Sequence, residues 1–298
     1  MNLQNNKTCA AQSFSNQKRS YLSDVWHRLK KNKTAVLGLI IIAILILVSL
    51  CAPLIADYET VTAMNPQEKY LAPCAGHIFG TDDMGRDYFA RIIWGGRASL
   101  TIGFLCVLVS LSIGMVLGSV AAYAGGTVDT LIMRIMDTLS CIPSLLLALV
   151  TAAALGPGFG NMVIALTLAT VPNFTRVIRS VILPLTGQDF IEAARACGTT
   201  RTGIIRTQIL PNALGPIIVQ ATMAIAQLII AAAGLSFLGM GIQPPKPEWG
   251  SMLNTARQYI MTSPHMIIFP GLFIVLSALS LNLLGDGLRD ALDPRLRN

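Results

Sequence analysis

Long apolar runs alternate with short charged segments along this chain, and the alternation predicts six helices of membrane-spanning length. A hydrocarbon core about 30 Å thick needs roughly 20 apolar residues in a helix. The first run, Thr34 to Ala56, carries no charge, and neither does the second, Ala98 to about Tyr123. The third covers roughly Thr138 to Leu155, with an amphiphilic approach from Asp129. The fourth runs from about Gly160 to Thr175, the fifth from Ala213 to Gly239, and the sixth from Met266 to Leu284. The third and fifth are rich in Ala and Gly, a composition that also suits a buried helix of a soluble protein. The fold class that follows is all-α, a polytopic membrane protein with six transmembrane helices.

One polar interval has a helical pattern of its own. Between the fourth and fifth spans, Phe190, Ala193, Ala194 and Cys197 recur at i, i+3, i+4 and i+7, which predicts a short helix with one apolar face. Asp189 is placed to cap it and Glu192 follows at capping-box spacing. Gly198 is a natural stop. A second short helix, with Ile204 and Ile205 on one side, is expected to end near Leu210, because Pro211 disfavours the α region for the residue before it. Such a helix–Gly–helix elbow makes a rigid knob that fits a cleft on a soluble partner.

Charge distribution then sets orientation. The net charge of +7 invites a nucleic-acid reading, but 53% of residues are hydrophobic, 12% are charged, and mean hydropathy is +0.61. With the N-terminus inside, the inner segments hold 16 Lys and Arg and the outer ones 6, the positive-inside asymmetry. This predicts both termini and the Glu192 elbow on the cytosolic side. The N-terminal apolar run is too long for a signal peptide and is read as a retained span. Of six cysteines, Cys9 and Cys197 fall inside, Cys106 and Cys141 in the membrane, Cys51 near the outer end of the first span, and Cys74 alone in an outer loop, so no outer disulfide is implied.

The elbow resembles the EAA loop of inner-membrane subunits of binding-protein-dependent ABC importers. Glu192, Ala193, Ala194, Gly198, Leu210 and Pro211 match that pattern, with Gln208 departing from an apolar consensus position. The segments Phe79–Asp87 (FGTDDMGRD), Gly234–Gly241 (GLSFLGMG), Glu248–Gly250 (EWG) and Leu284–Asp290 (LGDGLRD) resemble the dipeptide/oligopeptide/nickel class, in its C-type permease. The resemblance implies a type I ABC importer permease fold: a cytosolic tail at 1–33, a first span at 34–56, an extracytoplasmic loop at 57–94, a five-helix core at 95–285 with the loop at about 188–211, and a tail at 286–298. It implies import of di- or oligopeptides, with nickel or a metal chelate as the alternative. It also implies a homologous second permease, two ABC ATPases that hold ATP and Mg, an extracytoplasmic solute-binding protein, and a bacterial or archaeal cytoplasmic membrane. Asp189, Phe190, Glu192, Ala193, Ala194, Gly198, Leu210 and Pro211 would form the ATPase-coupling loop.

Other chemistry is sparse. The sequence has no phosphate-binding G-x-x-x-x-G-K-[ST] motif, and neither H-E-x-x-H nor G-x-S-x-G occurs. His27, His77 and His265 lack zinc-ligand spacing. No cofactor, metal or catalytic residue is therefore expected in this chain, and no nucleic-acid partner; the rival readings are a membrane-embedded enzyme and a non-transporting scaffold. Gly114 and Gly118 form a G-x-x-x-G, a close-approach signal that also arises by chance in a Gly-rich span. Arg134 and Asp137 are spaced to pair on one helix face. Pro143 should kink the third span. Gln220 and Gln227, seven apart, either line a polar path or bond a neighbouring helix. The segment Pro244–Trp249 is stiffened by proline; Lys246, Glu248 and Trp249 either meet a binding protein or merely space two helices.

Overall fold

The computed structural model describes residues 21–292 of the 298-residue chain; Cys9 and the outermost parts of both tails lie outside them. Among the described residues five helices are long and apolar enough to cross a membrane, and a bent pair of helices, taken as one broken span, makes six. In chain order the helices are α1 (Tyr21–Lys31), α2 (Lys33–Leu50), α3 (Ala52–Ile55), α4 (Tyr58–Thr62), α5 (Tyr88–Ala124), α6 (Gly126–Ser140), α7 (Ser144–Leu155), α8 (Phe159–Ile182), α9 (Asp189–Ala196), α10 (Arg201–Ile204), α11 (Leu210–Phe237), α12 (Trp249–Ala256) and α13 (His265–Leu292). At 1.5 Å per residue, the 37 residues of α5 extend about 55 Å. That exceeds the thickness of the hydrocarbon core, so part of the helix extends beyond it.

Among the described residues two large apolar cores hold the bundle, with a smaller cluster of Leu29, Ala35 and Ala291 beside them. One joins Ile102 and Cys106 of α5 to Phe174 and Ile178 of α8 and to Ile217 and Leu228 of α11; the other joins Ile42 and Leu45 of α2 to Ile92 of α5, Trp249 of α12 and Ile274 and Leu281 of α13. The G-x-x-x-G is a packing device. A Cβ at Gly114 would lie 2.8 Å from Phe174 Cβ, and one at Gly118 2.8 Å from the Thr175 carbonyl oxygen, so α5 and α8 meet backbone to backbone. The third span is broken rather than kinked: α6 and α7 meet at 81° across Cys141–Pro143. The Arg134–Asp137 pairing does not form. Asp137 turns to Arg176 of α8 (3.5 Å), and Asp129 takes a bidentate bond from Arg179 of α8 at 2.5 Å, because α6 lies alongside that helix and offers it an acidic edge. Arg134 is exposed and holds no ion pair among the described residues.

Residues 57–94 form a cap at the end of the bundle opposite α9. Asp82 is its centre. One oxygen accepts from the backbone of Met84 and Arg86, and the other from Arg86 Nε at 2.7 Å, with Arg91 Nε 3.3 Å away. Asp87 caps α5 through the Ala90 amide, and Tyr88 donates to the Met266 carbonyl at 2.6 Å. Gly85, at φ +73, lets this loop turn directly against Asn65.

Candidate functional site

The elbow forms, with two changes from its expected form. Asp189 is not the cap. Gln188 carries the extended backbone that precedes α9, no side chain caps the helix, and Asp189 and Glu192 both lie in the first turn, where their charges face the positive end of the helix dipole. The buried stripe is also rotated. Ile191 is fully buried, with Phe190 and Ala194 half-buried beside it, whereas Ala193 and Cys197 are exposed together with Glu192 and Ala196. A two-turn helix gains more by burying one isoleucine than a pair of small residues.

Termination follows the expected chemistry in full detail. Gly198 adopts φ +75; its amide donates to the Arg195 carbonyl (2.9 Å) and the Thr199 amide to the Ala194 carbonyl (3.1 Å), a Schellman end. A Cβ at Gly198 would meet nothing, so the glycine serves the backbone angle alone. Thr200 then caps α10 through the Gly203 amide. The second helix does not stop before Pro211. A π-turn over Ile205–Ile209 carries the chain without a break into α11, with Leu210 itself helical at φ −59, ψ −44. The wider turn resets the hydrogen-bond register, so Pro211 falls in the first turn of α11, where its missing N–H costs nothing. Asn212 Nδ2 reaches back to the Gln208 carbonyl at 2.7 Å.

Three isoleucines, Ile191, Ile204 and Ile209, are at most 1% exposed and seat the elbow on the span core. The Arg195 guanidinium lies over the Tyr123 ring at the end of α5, 5.2 Å from its centroid. What remains outward is a small-residue patch, Ala193, Ala196 and Cys197, flanked by exposed Glu192, Arg201 and Arg206. It is a rigid, close-approachable surface with both signs of charge at its rim.

The remaining candidates divide. Gln227 borders a cavity of about 290 Å³ with Ser144, Ala148, Thr170 and Asn173, just past the Pro143 break. Gln220, one face but two turns away, borders a different space with Met223 and Arg289. Of the proline-rich segment only Pro244, Pro245 and Lys246 are exposed among the residues singled out there. Glu248 and Trp249 are each 1% exposed and so cannot meet a partner at the surface. The Glu248 carboxylate caps α12, accepting from the Gly250 and Ser251 amides at 2.8 Å and from Ser99 Oγ at 3.2 Å. Burial pushes its pKa up, and these hydrogen bonds oppose the shift. Trp249 Nε1 donates to the Ile92 carbonyl at 2.9 Å. The EWG segment is therefore a hub that ties α5 to α12 inside the fold. Its only sequence signal is a Glu directly before an aromatic helix start, which reads equally as an exposed acid.

The comparisons with known proteins follow this geometry closely. A family model described as "Binding-protein-dependent transport system inner membrane component" matches residues 114–298. The chain belongs to this family. A second, "N-terminal TM domain of oligopeptide transport permease C", matches residues 20–73, which hold α1, α2 and the start of the cap. The inner-membrane-component match contains the elbow, the broken span and the α12 hub. Among similar proteins is a dipeptide transport system permease protein DppC of Alkalihalophilus pseudofirmus, 46% identical over 275 residues, 92% of this chain and 90% of that one. A di/tripeptide transport system permease protein DppC of Pseudomonas aeruginosa is 40% identical, covering 94% of each chain. A glutathione transport system permease protein GsiD of Pectobacterium atrosepticum is 42% identical, covering 92% of this chain and 91% of its own. In fold, the chain is similar to the MetNI methionine ABC transporter in an inward-facing conformation, with TM-score 0.57 at 22% identity over 69% of this chain and 97% of that one. This inner-membrane component is thus a multi-pass transporter subunit with the type I importer permease fold.

Proposed function

We propose that the chain is one membrane subunit of an ATP-driven importer of di- and oligopeptides. The supporting observation is the 40–46% identity, across more than nine-tenths of the chain, to permeases of dipeptide and di/tripeptide systems. Similarity to a glutathione permease points the same way, since glutathione is itself a short peptide. Nickel is not favoured, since the similar proteins described above are permeases of dipeptide, di/tripeptide and glutathione systems. On this reading the termini and elbow face the cytosol of a bacterial or archaeal cell. A sister permease completes the pathway, and an extracytoplasmic binding protein delivers the solute. Two ABC ATPases hold ATP and Mg, since this chain lacks a phosphate-binding loop. Closure of the ATPases presses on the Ala193–Cys197 patch, and the elbow passes that motion to α8 and α11.

Uptake of a labelled dipeptide into cells lacking the endogenous permease tests the reading. Restored, ATP-dependent dipeptide uptake on expression of this chain with its partner subunits is the expected result. Restored nickel uptake without peptide uptake would overturn the substrate assignment, and ATP turnover by the rigorously purified single chain would overturn the division of labour.

A further inference from the structure

A groove of about 600 Å³ runs between α2 and α5, floored by Ile225 of α11. Its shape follows from how α2 is pinned. At one end Ser49 packs on Gly96 of α5; toward the other, Gly38 and Ala35 press against Ser280 and Gly287 of α13. The helix is drawn toward α13 and splays from α5, and the space between them stays open. Leu50, Phe104 and Leu108 line it while remaining 65%, 39% and 61% exposed.

Arg97 stands at the mouth. Its neighbour Trp94 donates to the Ala56 carbonyl at 2.9 Å and meets Tyr58 edge-on at 4.9 Å, an aromatic pair of the kind that marks the membrane–water boundary. From Ala98 onward α5 is free of charge, so Arg97 lies at headgroup depth. Its guanidinium stacks on Trp94, 5.1 Å from the ring, and takes no hydrogen bond or ion pair among the described residues. The stack occupies one face and leaves the fork of N–H donors open, a geometry that matches a phosphate. From Arg97 to Leu111, the last groove residue of α5, the helix rises about 21 Å. One leaflet of the hydrocarbon core is about 15 Å deep. The groove thus joins a headgroup-level cation to an apolar slot deeper than a leaflet.

We propose that this groove is a binding site for an anionic phospholipid, its phosphate on Arg97 and an acyl chain laid along Thr101, Phe104 and Leu108. A cation that makes no hydrogen bond or ion pair among the described residues, joined to an apolar slot of that depth, fits an amphiphile better than the uncharged flank of another helix. The test is native mass spectrometry of the intact importer released from nanodiscs of mixed phosphatidylglycerol and phosphatidylcholine. Wild type is expected to retain phosphatidylglycerol preferentially. Arg97→Gln should reduce that preference about fivefold, the contribution of one interfacial cation. Leu108→Trp, which fills the slot, should displace the lipid without altering assembly. Equal retention of both lipids by wild type, or an unchanged preference in Arg97→Gln, would overturn the proposal. So would a photocrosslinker at position 108 that captures a protein subunit instead of lipid.

Discussion

Ala193 and Ala194 are adjacent, chemically identical, and placed on opposite sides of the elbow's surface. Ala193 is exposed; Ala194 is half-buried against the span core beside the fully buried Ile191. Tryptophan at the two sites therefore asks two separate questions. At 194 the ring must enter the chain's own packing, and overpacking typically costs about 1–3 kcal/mol, so the free permease should melt earlier. At 193 the ring enters solvent, and a surface change of that kind stays within about 0.5 kcal/mol. If the Ala193 patch is the face that meets the ATPase, the same 1–3 kcal/mol appears only on docking, a roughly five- to hundredfold loss of affinity. The assay pairs thermal unfolding of the purified permease with titration of ATPase subunits onto it in nanodiscs. Ala193→Trp should leave the melt unchanged and weaken docking. Normal docking and uptake in Ala193→Trp would refute the assignment of the outward patch as the contact, whatever Ala194→Trp does.

Ile191→Ala should cost about 2–5 kcal/mol, as for a fully buried isoleucine, and should loosen the elbow so that trypsin cleaves after the exposed Arg195 and Arg201 before the spans unfold. Glu248→Ala leaves the buried Gly250 amide and the half-buried Ser251 amide without their acceptor, at about 1–3 kcal/mol for the buried one, so its melting temperature should fall well below that of Glu248→Gln, which keeps a side-chain oxygen. The His77 pKa is raised, chiefly by its 2.8 Å hydrogen bond to Asp87; burial acts against the shift, and Glu68 adds to it. Its contribution is complete below about 6.5, the ordinary histidine value, and is lost as pH climbs through the raised value. Thermal unfolding across pH 5–9 should show that loss in wild type and not in His77→Gln. In intact cells an impermeant maleimide should label exposed Cys74 and spare exposed Cys197; labelling of Cys197 from outside would reverse the proposed orientation.

The spans were legible because lipid imposes a long, coarse signal: twenty apolar residues survive errors of a turn at either end. The elbow was legible at Gly198, where a positive φ demands a glycine. Its face was not, because in a two-turn helix the periodic pattern of Phe190, Ala193, Ala194 and Cys197 competes with a single large residue, and Ile191 wins by area. Nor could spacing reveal the ion pairs. Arg134 and Asp137 satisfy a local rule, yet Asp129 and Asp137 bind Arg179 and Arg176, some forty to fifty residues on, through a helix contact that only the fold creates. Glu248 and Trp249 were misplaced for a related reason: polarity and proline neighbours suggest an exposed loop, whereas their partners, Ser99 and Ile92, lie on another span.

The π-turn that admits Pro211 has a mechanical meaning. It makes Arg201 through Phe237 one rod of 37 residues, about 55 Å long, with no bend of the size seen at Pro143. The far tip of that rod is gripped: Asn254 of α12 bonds the Phe237 carbonyl, and Gly250 packs on Ala233. A tilt of about 5° would carry one end roughly 5 Å relative to the other over such a length. A nudge at the knob and a shift of the α12 hub are then one displacement seen from the two ends of the rod, and no chain of relayed contacts between them is required.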